Sequence, residues 1–182
     1  MYFNWNAKGF EKNLPPDKKI KKFVEPAVAE ALKKRGFNPG LVNWPKRVKS
    51  FLSEPYDMLP QLRLINEVAK RNGAKLSVFY IPARNQVTNY YYQFEKQFCR
   101  ACPPEMDLTT EAFQIHSKKL SSTCNALGIP FLDFSELIKN EEKKGNHLYW
   151  NYDIHMRNTG YLTLGEKIYD WWHERELKQT VK

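Results

Sequence analysis

The residues best suited to chemistry in this chain are an aspartate and a histidine, Asp153 and His155, separated by one position. A carboxylate that contacts Nδ1 of an imidazole orients the ring and leaves Nε2 free to exchange a proton. In an extended segment both side chains would point to the same side, whereas in a tight loop they could contact each other. By itself the triplet favours the simpler interpretation, a turn-capping aspartate beside an ordinary surface histidine.

The segment after this pair strengthens the case for a site, because it predicts a helix that would hold the loop rigid. Asn158 or Thr159 is a suitable N-cap, and Gly160 opens a segment with apolar side chains at helical spacing. The apolar stripe consists of Tyr161, Leu164, Ile168, Trp171 and Trp172. A loop fixed by a core-packed helix satisfies the positioning that catalysis requires.

Upstream of the pair, the chain predicts helices that alternate with strands. Apolar spacing indicates helices at 58–71 and 109–127, each followed by a glycine that can end it, and a polar helix at 135–144. The strands are predicted at 74–81 and 129–134. This alternation is typical of an α/β domain with a parallel sheet, in which reactive groups gather at the carboxyl ends of the strands.

From about residue 58 to 172 the chain resembles the C-terminal half of an SGNH hydrolase, the GDSL-type esterase superfamily. The resemblance rests on the helix at 59–70, the strand at 76–81 with Pro82, the segment at 128–133, and Asp153-Ile154-His155 followed by Gly160. The Asp-x-His form is similar to the alginate O-acetyltransferase-like branch. Tyr161 stands where that family often has a histidine, and Met156 where proline or tryptophan is usual.

The resemblance implies a three-layer α/β/α fold and acyl-ester chemistry. His155 would act as general base toward a serine and then as general acid toward the leaving alcohol, and Asp153 would orient it. The substrate would be a small-molecule or glycan ester, with no cofactor or metal, and the family favours a periplasmic or otherwise extracytoplasmic location. Arg84 and Asn85, just past the first strand, and Tyr91, in a run of three tyrosines, are the candidates for substrate contact.

The serine of a triad has no suitable place in the chain. Residues 1–49 contain no serine, Ser50 and Ser53 lack a glycine turn, Ser77 falls inside a strand, and Ser135 is expected to cap a helix. The predicted sheet is also incomplete, since strand 76–81 is too apolar for an edge. We therefore expect either a longer protein whose earlier strands carry the nucleophile, or a non-catalytic scaffold, alone or completed by a partner.

Residues 1–57 form a basic region that is predicted to be helical and separate from the α/β part at 58–182. Residues 1–60 hold 12 Lys and Arg against 6 Asp and Glu, and so contribute +6 of the net charge of +9. Such a region could be an insertion or lid, could bind an anionic glycan or lipid surface, or could be a solvated basic face. Nucleic acid is the weaker choice, because no recognition signature accompanies the charge.

The cysteines and remaining histidines offer no metal site. Cys99 and Cys102 form a lone C-x-x-C, and Cys124 is predicted on the core face of a helix. Zinc would need four ligands, and the one candidate addition, His116, is expected to be a packed histidine. The cysteines would form a local disulfide in an exported protein and stay free otherwise. His147 has no obvious partner in the sequence. No apolar run is long enough to cross a membrane, and no signal-peptide pattern opens the chain.

Overall fold

The computed structural model describes residues 48, 52, 53, 55–96 and 106–180 as a mixed α/β arrangement, mostly helical, with a small parallel sheet. The elements in chain order are α1 (Leu59–Arg71), β1 (Val78–Tyr80), the short helices α2 (Arg84–Val87) and α3 (Tyr92–Glu95), a 3₁₀ turn (Glu111–Phe113), α4 (Ile115–Leu127), β2 (Phe131–Asp133), α5 (Ser135–Lys143) and α6 (Asn158–Thr180). Most of the basic region at 1–57, together with Ser50, Cys99 and Cys102, lies outside the described residues.

The two predicted strands pair in parallel, which confirms the predicted α/β class. Val78 lies opposite Phe131 and Tyr80 opposite Asp133, so each strand has three residues, fewer than the sequence predicts. Prolines limit β2 at its start and β1 at its end, whereas residues 74–77 ahead of β1 do not join the ladder. Pro130 precedes β2 and Pro82 follows β1, and proline has no N–H to donate to a ladder. Pro130 instead accepts a hydrogen bond from Val78 N at 2.9 Å.

Opposite faces of the sheet pack against different hydrophobic clusters. Val78 and Phe131 contact the cluster formed by α1 and α4, whose buried members are Leu62, Cys124 and Ile129. Phe79 and Leu132, the next residues along each strand, contact a second cluster to which α5 and α6 contribute. This alternation follows from the two-residue period of a strand. Because the described part of the chain holds only two strands, the complete SGNH-like sheet stays a prediction.

Glycines end the two helices that lead into the strands, as the sequence predicts. Gly73 follows α1 with φ +67°, and Gly128 follows α4 with φ +64°. Both angles are left-handed, a conformation that glycine adopts without steric cost. Backbone hydrogen bonds of 2.9 Å, from Ala74 N to Ala69 O and from Ile129 N to Cys124 O, close the two helix ends. The reversals send the chain directly into β1 and β2.

The helix predicted at 109–127 is interrupted, because α4 begins only at Ile115. Gln114 between the 3₁₀ turn and α4 has φ −95° and ψ 9°, outside the helical range. The Gln86 side chain binds at this break, where its Nε2 donates to Phe113 O at 2.5 Å. Since that carbonyl and the buried Phe113 ring are both engaged by the core, tertiary contacts override the local helical pattern. Thr110 precedes the 3₁₀ turn but its side chain makes no capping hydrogen bond.

Two predicted caps are wrong. Ser135 is the first residue of α5, and its Oγ is buried without a hydrogen-bond partner. The capping acceptor is instead the Asp133 carboxylate, which accepts Ser135 N at 2.8 Å. Asn158 and Thr159 lie inside α6, which therefore begins before Gly160. The apolar stripe of α6 is also only partly buried, since Tyr161 and Trp172, unlike Leu164, are exposed.

Candidate active site

Asp153 and His155 lie in a turn whose two arms, at 148–150 and 155–157, run antiparallel. The arms are joined by a bridge between Tyr149 and Met156 and by hydrogen bonds from Trp150 N to His155 O at 3.1 Å and from Arg157 N to Leu148 O at 2.7 Å. Side chains alternate along the arms. Tyr149 and Met156 are therefore buried, while Trp150 and His155 are exposed.

The structure brings Asp153 and His155 into direct contact, which is the tight-loop alternative of the sequence interpretation. Nδ1 of His155 lies 2.6 Å from Oδ1 of Asp153, and the same oxygen accepts the backbone N of His155 at 3.0 Å. The histidine side chain is 55% exposed and that of the aspartate 35%, so solvent and ligands can reach the pair. With the proton on Nδ1, the aspartate orients the ring and Nε2 is the basic nitrogen.

His155 forms part of the wall of a cavity of about 370 Å³. The cavity lies at the carboxyl end of β1, where Tyr80, Ile81 and Pro82 contribute to it, and His116 and Tyr161 are also among its lining residues. No Asp, Glu, Lys or Arg is found among the lining residues that the structure describes. Apart from its two histidines, the described wall therefore carries no ionisable group that would be charged near neutral pH.

Polar groups of the residues that line the cavity form hydrogen bonds with one another. Tyr80 Oη donates to Gln86 Oε1 at 3.1 Å, and Ala83 N donates to the same oxygen at 2.8 Å. Tyr149 Oη donates to Pro82 O at 2.5 Å. Burial raises the pKa of Tyr80 and also that of Tyr149. Both phenols are therefore neutral at ordinary pH.

Comparisons with family models, curated proteins and solved structures find no match. The chemistry of the site is therefore argued from its own geometry. The described residues contain no group of three or more His, Cys, Asp or Glu placed to hold a metal ion. None of the helices in the described ranges combines the length and apolar character needed to cross a bilayer.

The three residues predicted to contact substrate lie behind the site rather than in the cavity. Arg84 is 1% exposed, Asn85 3% and Tyr91 0%, and none of them lines the cavity. A bound ligand could reach these side chains only if the chain opened locally. Their predicted substrate contact therefore gains no support from the geometry. The sequence pattern missed their burial because a polar, aromatic stretch resembles a solvated loop, whereas here it forms two single-turn helices.

Arg84 forms a buried ion pair with Glu95, and neither side chain has any exposed surface. Its Nε and Nη2 donate to Glu95 Oε1 at 2.9 and 2.7 Å, and Asn85 Nδ2 donates to the other oxygen at 3.1 Å. Burial lowers the pKa of Arg84 while Glu95 opposes the shift. Burial likewise raises the pKa of Glu95 while Arg84 opposes that change. The charges therefore depend on each other, and removing either would leave its partner isolated in the interior.

A second carboxylate–imidazole pair, Glu142 and His147, lies nearby. His147 Nδ1 is 2.8 Å from Glu142 Oε2, so His147 has the partner that the sequence did not reveal. Glu142 Oε1 accepts Tyr91 Oη at 2.6 Å and Leu148 N at 2.9 Å. The His147 ring stacks on Tyr90 with centroids 3.7 Å apart. Neither member of this pair is among the residues that line the cavity.

The remaining candidates divide between the cavity wall and the core. His116, predicted to be a packed histidine, is partly buried and lines the cavity. Cys124 is a buried free thiol whose pKa is raised by burial. No serine is found among the described residues that line the cavity; Ser53, next to the lining residue Leu52, is exposed.

Proposed function

We propose that the protein is an SGNH-type ester hydrolase or O-acyltransferase in which Asp153 and His155 are the acid and base of a Ser-His-Asp triad. The observation that carries this proposal is the 2.6 Å contact between the two side chains, made at the wall of a cavity at the carboxyl end of a parallel strand. A carboxylate-oriented imidazole beside a ligand-sized space is the arrangement that general base catalysis requires.

In this proposal His155 accepts the serine proton as the serine oxygen attacks the ester carbonyl, and then returns it to the leaving alcohol. The acyl group is now on the serine. A second hydroxyl attacks the acyl-enzyme while His155 takes its proton, and the proton returns to the serine as that bond breaks. Water as acceptor yields an acid, and a sugar hydroxyl yields a new ester.

The proposal places the serine outside these 182 residues. Residues 1–49 contain none, and no serine lines the cavity within the described ranges. The segment that supplies this serine would also add the further strands of a three-layer α/β/α fold beside β1 and β2. The proposed nucleophile and the proposed sheet therefore have a common source.

The lack of Asp, Glu, Lys and Arg among the described lining residues favours a neutral acyl ester, such as an acetyl ester, over an anionic acyl group. A charged ligand would lose hydration in the cavity without meeting a carboxylate, ammonium or guanidinium group among the described lining residues. Aromatic side chains at Tyr80, Tyr149 and Tyr161 offer apolar faces on which a sugar or another ring could pack. An acetylated glycan or a small acetyl ester satisfies both conditions.

The test uses the product of the natural gene, assayed with 4-nitrophenyl acetate and labelled with a fluorophosphonate probe. We expect turnover, labelling of one serine, and loss of turnover in both Asp153→Asn and His155→Ala. The conservative variant Asp57→Asn, in an exposed residue ahead of α1, is the matched control and should retain activity. Turnover that survives both active-site variants would overturn the triad assignment.

A second candidate is a non-catalytic protein that binds an anionic glycan or a protein partner. The observation that favours it is the excess charge of +6 in residues 1–60, combined with the lack of a serine among the described lining residues. A natural gene product that the probe does not label, but that is retained on an alginate or heparin column in a salt-dependent way, would support this alternative.

A further inference from the structure

Arg84 binds the Asp153–His155 turn from its buried side. Its Nη1 donates to three main-chain carbonyls of the turn, Trp150 O at 2.6 Å, Asp153 O at 2.7 Å and Asn151 O at 3.3 Å. These carbonyls lie on both sides of the tip. A single guanidinium nitrogen therefore binds the main chain on both sides of the Asp153 side chain.

The rest of the guanidinium is committed to the core. Nε and Nη2 bind Glu95, and the guanidinium carbon lies 5.1 Å from the centroid of the Tyr91 ring. Glu95 belongs to α3 and Arg84 to α2, so the ion pair fixes the guanidinium relative to both short helices. A planar fork can bind a carboxylate on one side and carbonyls on the other, whereas the single ammonium of lysine cannot do both in the same geometry.

We propose that Arg84 is a positioning residue, which holds the Asp153–His155 turn against the cavity by binding its main chain while Glu95 fixes the guanidinium. The inference rests on the proposed function and deepens it, because it assigns to a buried arginine the orientation of the base. Misplacement of a catalytic group by about 1 Å can cost about 10²-fold in rate. The turn is exposed on its outer side, and Arg84 holds it from the buried side, while Arg157 binds Tyr149 O at 2.7 Å and the Asn151 side chain at 3.0 Å.

Two variants separate positioning from folding. Arg84→Lys keeps a positive charge beside Glu95 but removes the fork. The double variant Arg84→Met with Glu95→Leu removes both buried charges together, which avoids an isolated ion and is often tolerated. Arg71→Lys is the matched control, since Arg71 forms an exposed ion pair with Glu67 on α1.

The first readout is ¹⁵N NMR of the histidine rings together with amide hydrogen exchange, neither of which requires turnover. We expect a proton on Nδ1 of His155 to be favoured in the unmodified protein. In both Arg84 variants that preference should weaken, and the Trp150 and His155 amides should exchange at least about 10-fold faster. Where ester turnover is measurable, kcat should fall about 10²-fold with KM within about twofold. Arg71→Lys should change none of these.

A folded Arg84 variant that keeps the His155 tautomer and the turn exchange rates would overturn the proposal. If neither variant folds, amide exchange in the unmodified protein decides. The Trp150 and His155 amides should then be protected within about 10-fold of the Leu132 amide in β2, and exchange about 10³-fold faster would contradict an anchored turn. Absence of ester turnover would count against the proposed function alone, because the NMR readouts would still report on Arg84.

Discussion

Glu142–His147 and Asp153–His155 are both carboxylate–imidazole pairs, joined through Nδ1 at 2.8 and 2.6 Å. In the first pair the carboxylate side chain is 1% exposed, and in the second it is 35% exposed. Glu142 also accepts hydrogen bonds from a phenol and a backbone amide, and the His147 ring is covered by Tyr90. His155 instead faces a cavity.

The contrast shows that a carboxylate–histidine contact does not by itself identify a catalytic group. The imidazole of the first pair completes a buried hydrogen-bond network, and its ring faces are used for packing. In the second pair Nδ1 is engaged by Asp153, and His155 is among the residues that line a cavity of about 370 Å³. The surroundings of the imidazole therefore distinguish the two pairs: His155 lines a cavity, whereas His147 is packed beside a carboxylate that binds a phenol and a backbone amide.

The difference between the two pairs is tested most directly by replacing each histidine in turn. His155→Gln should lower ester turnover by the natural gene product about 10³-fold, because general base catalysis contributes on this scale. His147→Gln should change turnover by no more than about threefold, since its ring does not line the cavity. Steady-state kinetics with 4-nitrophenyl acetate measures both. Equal losses in the two variants would show that the surroundings do not distinguish the pairs.

The carboxylates should show the opposite order in stability. Glu142→Ala leaves Tyr91 Oη and Leu148 N without their acceptor in the interior, and should lower the free energy of unfolding by about 2–4 kcal/mol. Asp153→Ala removes a partly exposed contact and should cost about 1 kcal/mol or less. Urea denaturation of the two variants and the wild type tests this. A larger loss for Asp153→Ala would mean that the second pair is also a structural one.

Leu148 links the two pairs, and Gly160 at the start of α6 lies against it. A Cβ at Gly160 would lie 2.7 Å from Leu148 O and 2.8 Å from Met156 Cε. Gly160→Ala should therefore lower the free energy of unfolding by about 1–3 kcal/mol. Gly165→Ala, further along the same helix with nothing within 4 Å, is the matched control and should raise it by about 0.5–1 kcal/mol. Thermal denaturation of both variants gives the sign of each change.

Alkaline pH should lower the free energy of unfolding through the tyrosines around Glu142 and His147. Burial raises the pKa of Tyr91, which contacts Glu142, and that of Tyr149. Above pH 10.0, the ordinary value for tyrosine, these phenols ionise in the unfolded chain but stay protonated in the folded one. The folded state then binds more protons, so stability is full below that pH and falls as the pH rises.

Each phenol should contribute a fall of up to about 1.4 kcal/mol per pH unit. Urea denaturation between pH 8 and 11, followed beside the phenolate absorbance near 295 nm, measures the slope. Tyr91→Phe should flatten it and Tyr56→Phe, in an exposed residue, should not. A slope that Tyr91→Phe leaves unchanged would mean that the Tyr91 phenol is not protected by the fold.

The sequence predicts the features that depend on local signals. Gly73 and Gly128 end helices because a left-handed residue is needed there, and the D-x-H spacing allows the contact between Asp153 and His155. The role of Arg84 could not be found in this way, since the carbonyl it binds at Asp153 lies 69 positions along the chain. A pattern of residue types shows that polar groups are present, but only packing decides whether they face a ligand or the core.

The antiparallel arms around the Asp153–His155 turn have one more consequence, which concerns changes in chain length. Trp150 and His155 are exposed, whereas Tyr149 and Met156, one step nearer the base of the turn, are buried. Along an extended arm, a shift of one residue exchanges the exposed and the buried side chains. Inserting one residue between Met156 and Arg157 would therefore put a methionine in the place of the histidine.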